Sequence, residues 1–129
     1  MREKIWYPSV EEIERIHDRV LERNPEKYEG RRVPPVSRLP NVLREARNTP
    51  GLYKKLAVLL KGIASEHVFE DGNTTTAILT AKKFLDRNNK EFKPSDQKRI
   101  GKVANNHGRF TVEEISQYFK TGEIDETKI

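Results

Sequence analysis

The stretch His67-Val68-Phe69-Glu70-Asp71-Gly72-Asn73 gathers residue types that together can move a phosphorus-bearing group. His67 titrates near neutral pH and can accept a proton from an attacking hydroxyl. Asp71 can hold one Mg²⁺ whose other ligands are water and phosphate oxygens. Gly72 lets the backbone come close to a ligand. A helix should open at Asn73 or Thr74, either of which suits an N-cap. Helix N-termini present unpaired N–H groups and a partial positive charge, which favour a phosphate. Phe69 should anchor the loop in the core. Base, metal ligand and anion site thus fall within seven residues. The plainer alternative is a vestigial loop kept for its turn geometry.

Other candidates are weaker. Glu70 reads as a solvated carboxylate rather than a second ligand. His17 falls on an apolar helical face and reads as a hydrogen-bonded core histidine. His107 lies in a loop beside Arg109 and reads as a surface residue. These histidines are too scattered to make a recognisable metal motif.

The elements that must position the loop can be read from periodicity and caps. Ser9 and Glu12 form a capping box, and Val10, Ile13, Ile16, His17, Val20 and Leu21 recur at helical spacing up to Arg23. Residues 25–40 carry Gly30, Pro34, Pro35 and Pro40 and no helical pattern, so they read as a long functional loop. A short helix is expected over Asn41–Arg47 and a longer one over Gly51–Glu66, with the stripe Leu52, Leu56, Leu59, Leu60 and Ile63. After the Asp71-Gly72 turn, Ala77, Ile78, Leu79, Ala81, Phe84 and Leu85 cover most of a helix circumference, which predicts a central buried helix ending at Asn88-Asn89. A further helix is expected from Pro94-Ser95 to Asn105. A last one is opened by the capping box of Thr111 and Glu114 and turns Ile115, Tyr118 and Phe119 inward. Trp6 and Tyr7 should pack the N-terminal segment onto the bundle, and residues 122–129 read as a polar, fraying tail. The fold class expected is all-α, in a single domain over residues 1–129.

Composition narrows the classes. The chain has 129 residues, enough for one real core. Charged and hydrophobic residues are nearly balanced, at 35% and 34%, and the apolar ones cluster, which argues against wholesale disorder. Without cysteine there is no disulfide scaffold, thiolate nucleophile or Cys-ligated zinc. No apolar run reaches the ~20 residues of a membrane span. Met1-Arg2-Glu3-Lys4 is not followed by a signal-peptide stretch. The expectation is a cytoplasmic protein with no membrane partner. Net charge is +5, but 25 basic and 20 acidic residues alternate along the chain, so a solvated surface is favoured over a nucleic-acid partner.

The loop resembles the signature of the Fic/Doc (Fido) family, His-x-Phe-x-(Asp/Glu)-(Gly/Ala)-Asn followed by basic residues. The resemblance extends to the death-on-curing branch. Val10-Glu11-Glu12-Ile13 through Arg19 is similar to its beginning, Leu79 to Asn88 to the helix after its motif, and Gly108-Arg109-Phe110-Thr111 through Ile115 to its final helix. The likeness is collinear from Tyr7 to Lys120. It implies the Fido helical bundle and transfer of AMP or a phosphoryl group from a nucleotide such as ATP, with Mg²⁺, to a protein hydroxyl. By position, His67 would be the base and Asp71 the metal ligand. Gly72, Asn73 and the turn Thr74, Thr75 and Thr76 would hold phosphates. Val33, Val36, Ser37, Arg38 and Leu39 would form the flap that pairs with a target segment. A target protein and an antitoxin would be the partners, with the chain as the toxin of a toxin–antitoxin pair. The motif is degenerate where it matters for charge. Thr74 and Thr75 stand where the branch has Lys and Arg, and the second arginine of the Fic branch, one turn later, is also missing. Phosphoryl transfer depends mainly on positioning and charge neutralisation, and losing even one preorganised donor from an active site costs ~3–4 kcal/mol. A catalytically inactive Fido-fold module that binds a protein therefore stands beside the active reading.

Overall fold

A computed structural model describes residues 4–23, 38–65 and 72–129. His67, Phe69, Glu70 and Asp71, and the flap residues Val33, Val36 and Ser37, lie outside these. The described residues form six α-helices and no strand: α1 Val10–Arg23, α2 Arg38–Asn48, α3 Leu52–Ser65, α4 Asn73–Arg87, α5 Gln97–Asn105 and α6 Val112–Thr121. Short 3₁₀ turns cover His107–Arg109 and Glu126–Lys128. None of the helices is long and apolar enough to cross a membrane.

Helix α1 begins where the capping box places it. The Glu12 N–H donates to Ser9 Oγ at 3.1 Å, and the Ser9 N–H donates back to Glu12 Oε1 at 3.3 Å. Ile13, Ile16, His17, Val20 and Leu21 are buried, so His17 is a core histidine. Helix α2 starts at Arg38 rather than Asn41. Pro40 sits in its first turn, where a missing N–H costs nothing. Arg38 and Leu39, assigned to the flap by resemblance, are therefore the first residues of a helix, and Leu39 is fully buried in the core.

Helices α3 and α4 share the centre. Helix α3 packs against α2, α4 and α6, and α4 packs against α1, α3 and α5. Residues 55–60 of α3 are buried without a break, so that helix is enclosed almost all round. Helix α4 is buried along one broad stripe of Thr76, Ala77, Thr80, Ala81, Phe84 and Leu85. Ile78, expected in the core, is only half-buried, because the helical period turns it off that stripe. Gly62 lets α2 and α3 approach closely. A Cβ there would come within 2.6 Å of Val42 Cγ1 and 2.8 Å of Cγ2.

Polar side chains close the helix ends. Buried Lys55 donates from Nζ to the carbonyls of Ala46 (3.3 Å) and Arg47 (3.1 Å), two of the last carbonyls of α2. Lys61 Nζ donates to the carbonyls of His107 and Phe110 and fixes the turn before α6. His107 is half-buried there rather than on the open surface, and burial followed by the Lys61 charge lowers its pKa. The Asn88 amide ties the N-terminal segment down: Trp6 N–H donates to Oδ1 (2.8 Å), and Nδ2 donates to the carbonyls of Trp6 (3.0 Å) and Phe84 (2.7 Å).

Helix α5 starts two residues later than expected. Asp96 is the cap, and its carboxylate accepts from the Lys98 and Arg99 N–H groups at 3.0 and 3.2 Å. The Thr111 capping box forms in both directions, and Ile115, Tyr118 and Phe119 are buried. The C-terminal residues do not hang free. Ile124 and Ile129 pack against the core, and Lys128 Nζ meets Glu114 Oε2 at 2.7 Å.

Three outcomes follow from this packing. Leu85→Ala should cost ~2–5 kcal/mol in urea unfolding, the range for a buried leucine cavity; a cost near zero would remove Leu85 from the core. Gly62→Ala should lower stability even though alanine favours a helix by ~1 kcal/mol, because overpacking costs ~1–3 kcal/mol. A gain in melting temperature would contradict the Val42 contact. The third outcome concerns acid. Burial pushes the Glu12 carboxyl up, but hydrogen bonds from Ser9 and Lys83 outweigh it, so its pKa lies below the ordinary 4.5. The Lys128 bond, then the Thr111 N–H, does the same for Glu114. Depressed carboxylates stabilise the fold above their unfolded pKa and lose that contribution as pH falls through the folded value. Melting temperature should fall as pH drops below about 4.5, and less steeply in Glu12→Gln than in wild type.

Candidate active site

The described part of the site is the start of α4. Gly72 is its N-cap with φ of 77°, a left-handed conformation, and Asn73 is already helical. Asn73 and Thr74 are therefore not the cap, contrary to the sequence expectation. The sharp turn into α4 demands positive φ, which glycine adopts without the cost a side chain brings. Space demands glycine as well. A Cβ on Gly72 would meet Val20 Cγ1 at 3.2 Å and the His17 ring at 3.6 Å. Two buried residues of α1 thus set where the backbone enters α4.

Gly72 has no side chain to offer the first-turn amides. Its carbonyl accepts from the Thr76 N–H at 2.9 Å, so the amide of Thr76 is committed to the helix. The Thr76 carbonyl in turn accepts from Thr80 Oγ1 at 2.7 Å. Thr76 is fully buried, and its hydroxyl has no hydrogen-bond partner among the described residues. Asn73, Thr74 and Thr75 are half-buried and keep some access to solvent. Of the five residues assigned to phosphates by resemblance, then, four lie at or near the surface of the α4 N-terminus and Thr76 faces the interior. His67 and Asp71 belong to residues outside the described ones, but sequence holds Asp71 directly before Gly72.

Thr75 borders a groove between α1 and α4 that sequence reading did not anticipate. Arg19 and Arg23 of α1 and Lys83 of α4 stand around it. Lys83 Nζ lies 3.4 Å from Glu12 Oε2. The available signal was the spacing of Arg19 and Arg23, four residues apart on the face that also carries Ile16 and Val20. It passes unnoticed when charge is counted along the chain, because α1 also holds Glu11, Glu14, Asp18 and Glu22.

Among known proteins, the model of the Fic/DOC family matches residues 7–85. No curated protein and no solved structure matches the chain. The matched span contains α1, α2, α3, the whole His67–Asn73 loop and α4 up to Leu85, and α5 and α6 lie beyond it. The match begins at the residue where the sequence resemblance begins and covers more than half of the chain, and with it the chain belongs to the Fic/DOC family.

Proposed function

We propose that this protein is a divergent death-on-curing-like transferase that moves an AMP or phosphoryl group from ATP to a hydroxyl of a target protein. The observation that carries the reading is the family match, which spans every residue of the His67–Asn73 loop. In the reaction, the target oxygen attacks phosphorus and forms the new P–O bond. The bond from that phosphorus to the leaving oxygen breaks, releasing pyrophosphate if AMP is transferred or ADP if the γ-phosphoryl is. The hydroxyl proton passes to His67. Asp71 suits Mg²⁺, because that ion is commonly held by one or two carboxylates with phosphate oxygens and water filling its shell. The ion would neutralise phosphate charge. The left-handed Gly72 and the α4 N-terminus give the backbone a close approach to an anion. A toxin role, with an antitoxin as second partner and the cytoplasm as setting, belongs to the same proposal.

A second reading is favoured by one specific observation, the neutral Thr74 and Thr75. On this reading the chain is a silent Fido module that binds a protein without modifying it.

Labelled ATP separates the two. Incubation with Mg²⁺ and proteins of the host cell should transfer label from α-labelled ATP if AMP moves, and from γ-labelled ATP if phosphoryl moves. His67→Ala should reduce transfer at least ~10²-fold, the lower end of what a general base contributes. Asp71→Ala should act in the same direction. No transfer of either label above the His67→Ala background would leave only the binding module.

A further inference from the structure

The groove beside Thr75 measures about 380 Å³, within the ~300–1,000 Å³ range of small-ligand sites. Ile16, Val20 and Leu79 make its apolar floor, and among the described residues no carboxylate lines it. Helix geometry explains this segregation. At roughly 100° per residue, Ile16, Arg19, Val20 and Arg23 share an arc of about 100° on α1. Glu11, Glu14, Asp18 and Glu22 fall outside it, and Glu12, the one α1 carboxylate inside it, is paired with Lys83. On α4, Thr75, Leu79 and Lys83 follow one another at intervals of four residues. The two helices run antiparallel, since Lys83 meets Glu12 at one end and Gly72 abuts Val20 at the other. The C-terminal arginines of α1 therefore come to the same end as the first turn of α4.

Glu12 offsets Lys83. Among the described residues, no carboxylate forms an ion pair with Arg19 or Arg23. Like charges four apart on a helix repel. Here two such guanidiniums border an open groove that reaches the proposed phosphate end of α4. Guanidinium is also the side chain best shaped for bidentate phosphate contacts.

We propose that the α1–α4 groove binds the polyphosphate chain of a nucleotide, with Arg19 and Arg23 supplying the positive charge that Thr74 and Thr75 lack. This rests on the transferase reading above and relocates its cations from the motif to a neighbouring helix.

Titration calorimetry on the full chain tests it, with inorganic tripolyphosphate and with ATP–Mg²⁺ as probes. Wild type should bind both, and Arg19→Ala with Arg23→Ala should weaken both at least tenfold. Thr75→Arg added to that double variant should restore most of the lost affinity, which a merely structural role for the arginines would not allow. Both arginines are exposed, so the double variant should melt at or near the wild-type temperature. Equal binding by wild type and double variant, or no binding of either probe by wild type, overturns the proposal. Label transfer that persists undiminished in the double variant also overturns it and leaves the transferase reading intact. Arginine-dependent tripolyphosphate binding with no label transfer has the opposite meaning: the groove is an anion site and the transferase reading fails.

Discussion

The placement of the α4 N-terminus depends on the contact of Gly72 with Val20 and His17. A backbone in the left-handed region lies directly on two buried α1 side chains, with no room for a Cβ at ordinary distance from Val20. That contact fixes the height at which α4 starts. The seam below it, Ala77, Ala81, Phe84 and Leu85, then locks the helix against the bundle, each residue fully buried. Any shift of α4 along its axis would break the interior seam and the Gly72 turn together. The residue at which the chain enters α4 is thereby held rigidly.

The remainder of the bundle supports this arrangement with polar contacts as well as apolar ones. The chain has as much charge as hydrophobicity, so some charged groups must serve the interior. Lys55 and Lys61 do so by donating to backbone carbonyls at the end of α2 and in the turn before α6. Their aliphatic stems cover apolar surface while the ammonium groups reach acceptors. Asn88 plays the equivalent part for the N-terminal segment, pairing with both backbone groups of Trp6 as a neighbouring strand would. The Lys61 and Asn88 contacts join segments distant in sequence, Lys55 closes the turn between α2 and α3, and together they frame the central pair of helices.

The local parts of this design were legible in the sequence. Both capping boxes, the bounds of α1 and the apolar stripe of α3 come from interactions within four residues, and the amino-acid order displays them. Helix α2 was harder, since Pro40 suggests a break unless it is placed in a first turn. Leu39 shows the consequence: grouped with the flap by resemblance, it belongs to the core because the helix starts before it. Ile78 was assigned to the core because apolar content was read around the whole of α4, whereas only one stripe meets neighbours. The groove was invisible for a related reason. Its cations come from helices more than fifty residues apart in sequence, and interleaved acids hide them until the helical period separates the faces.

The same geometry decides where cations agree with the helix dipoles. Cations in the first turn of a helix oppose its dipole, and cations in the last turn are favoured by it. The first turn of α4 carries neither acidic nor basic residues, and threonines there bring no such penalty. Arg23 lies in the last turn of α1, where the dipole welcomes it. Because α1 and α4 are antiparallel, that last turn stands beside the α4 N-terminus. On the proposed assignment, an anion at this junction would meet backbone N–H groups from one helix and guanidinium from the other. Each group would sit at the helix end that tolerates it best. Binding and folding would then make compatible demands, whereas Lys and Arg at positions 74 and 75 would set the charge an anion needs against the dipole of the helix that holds it.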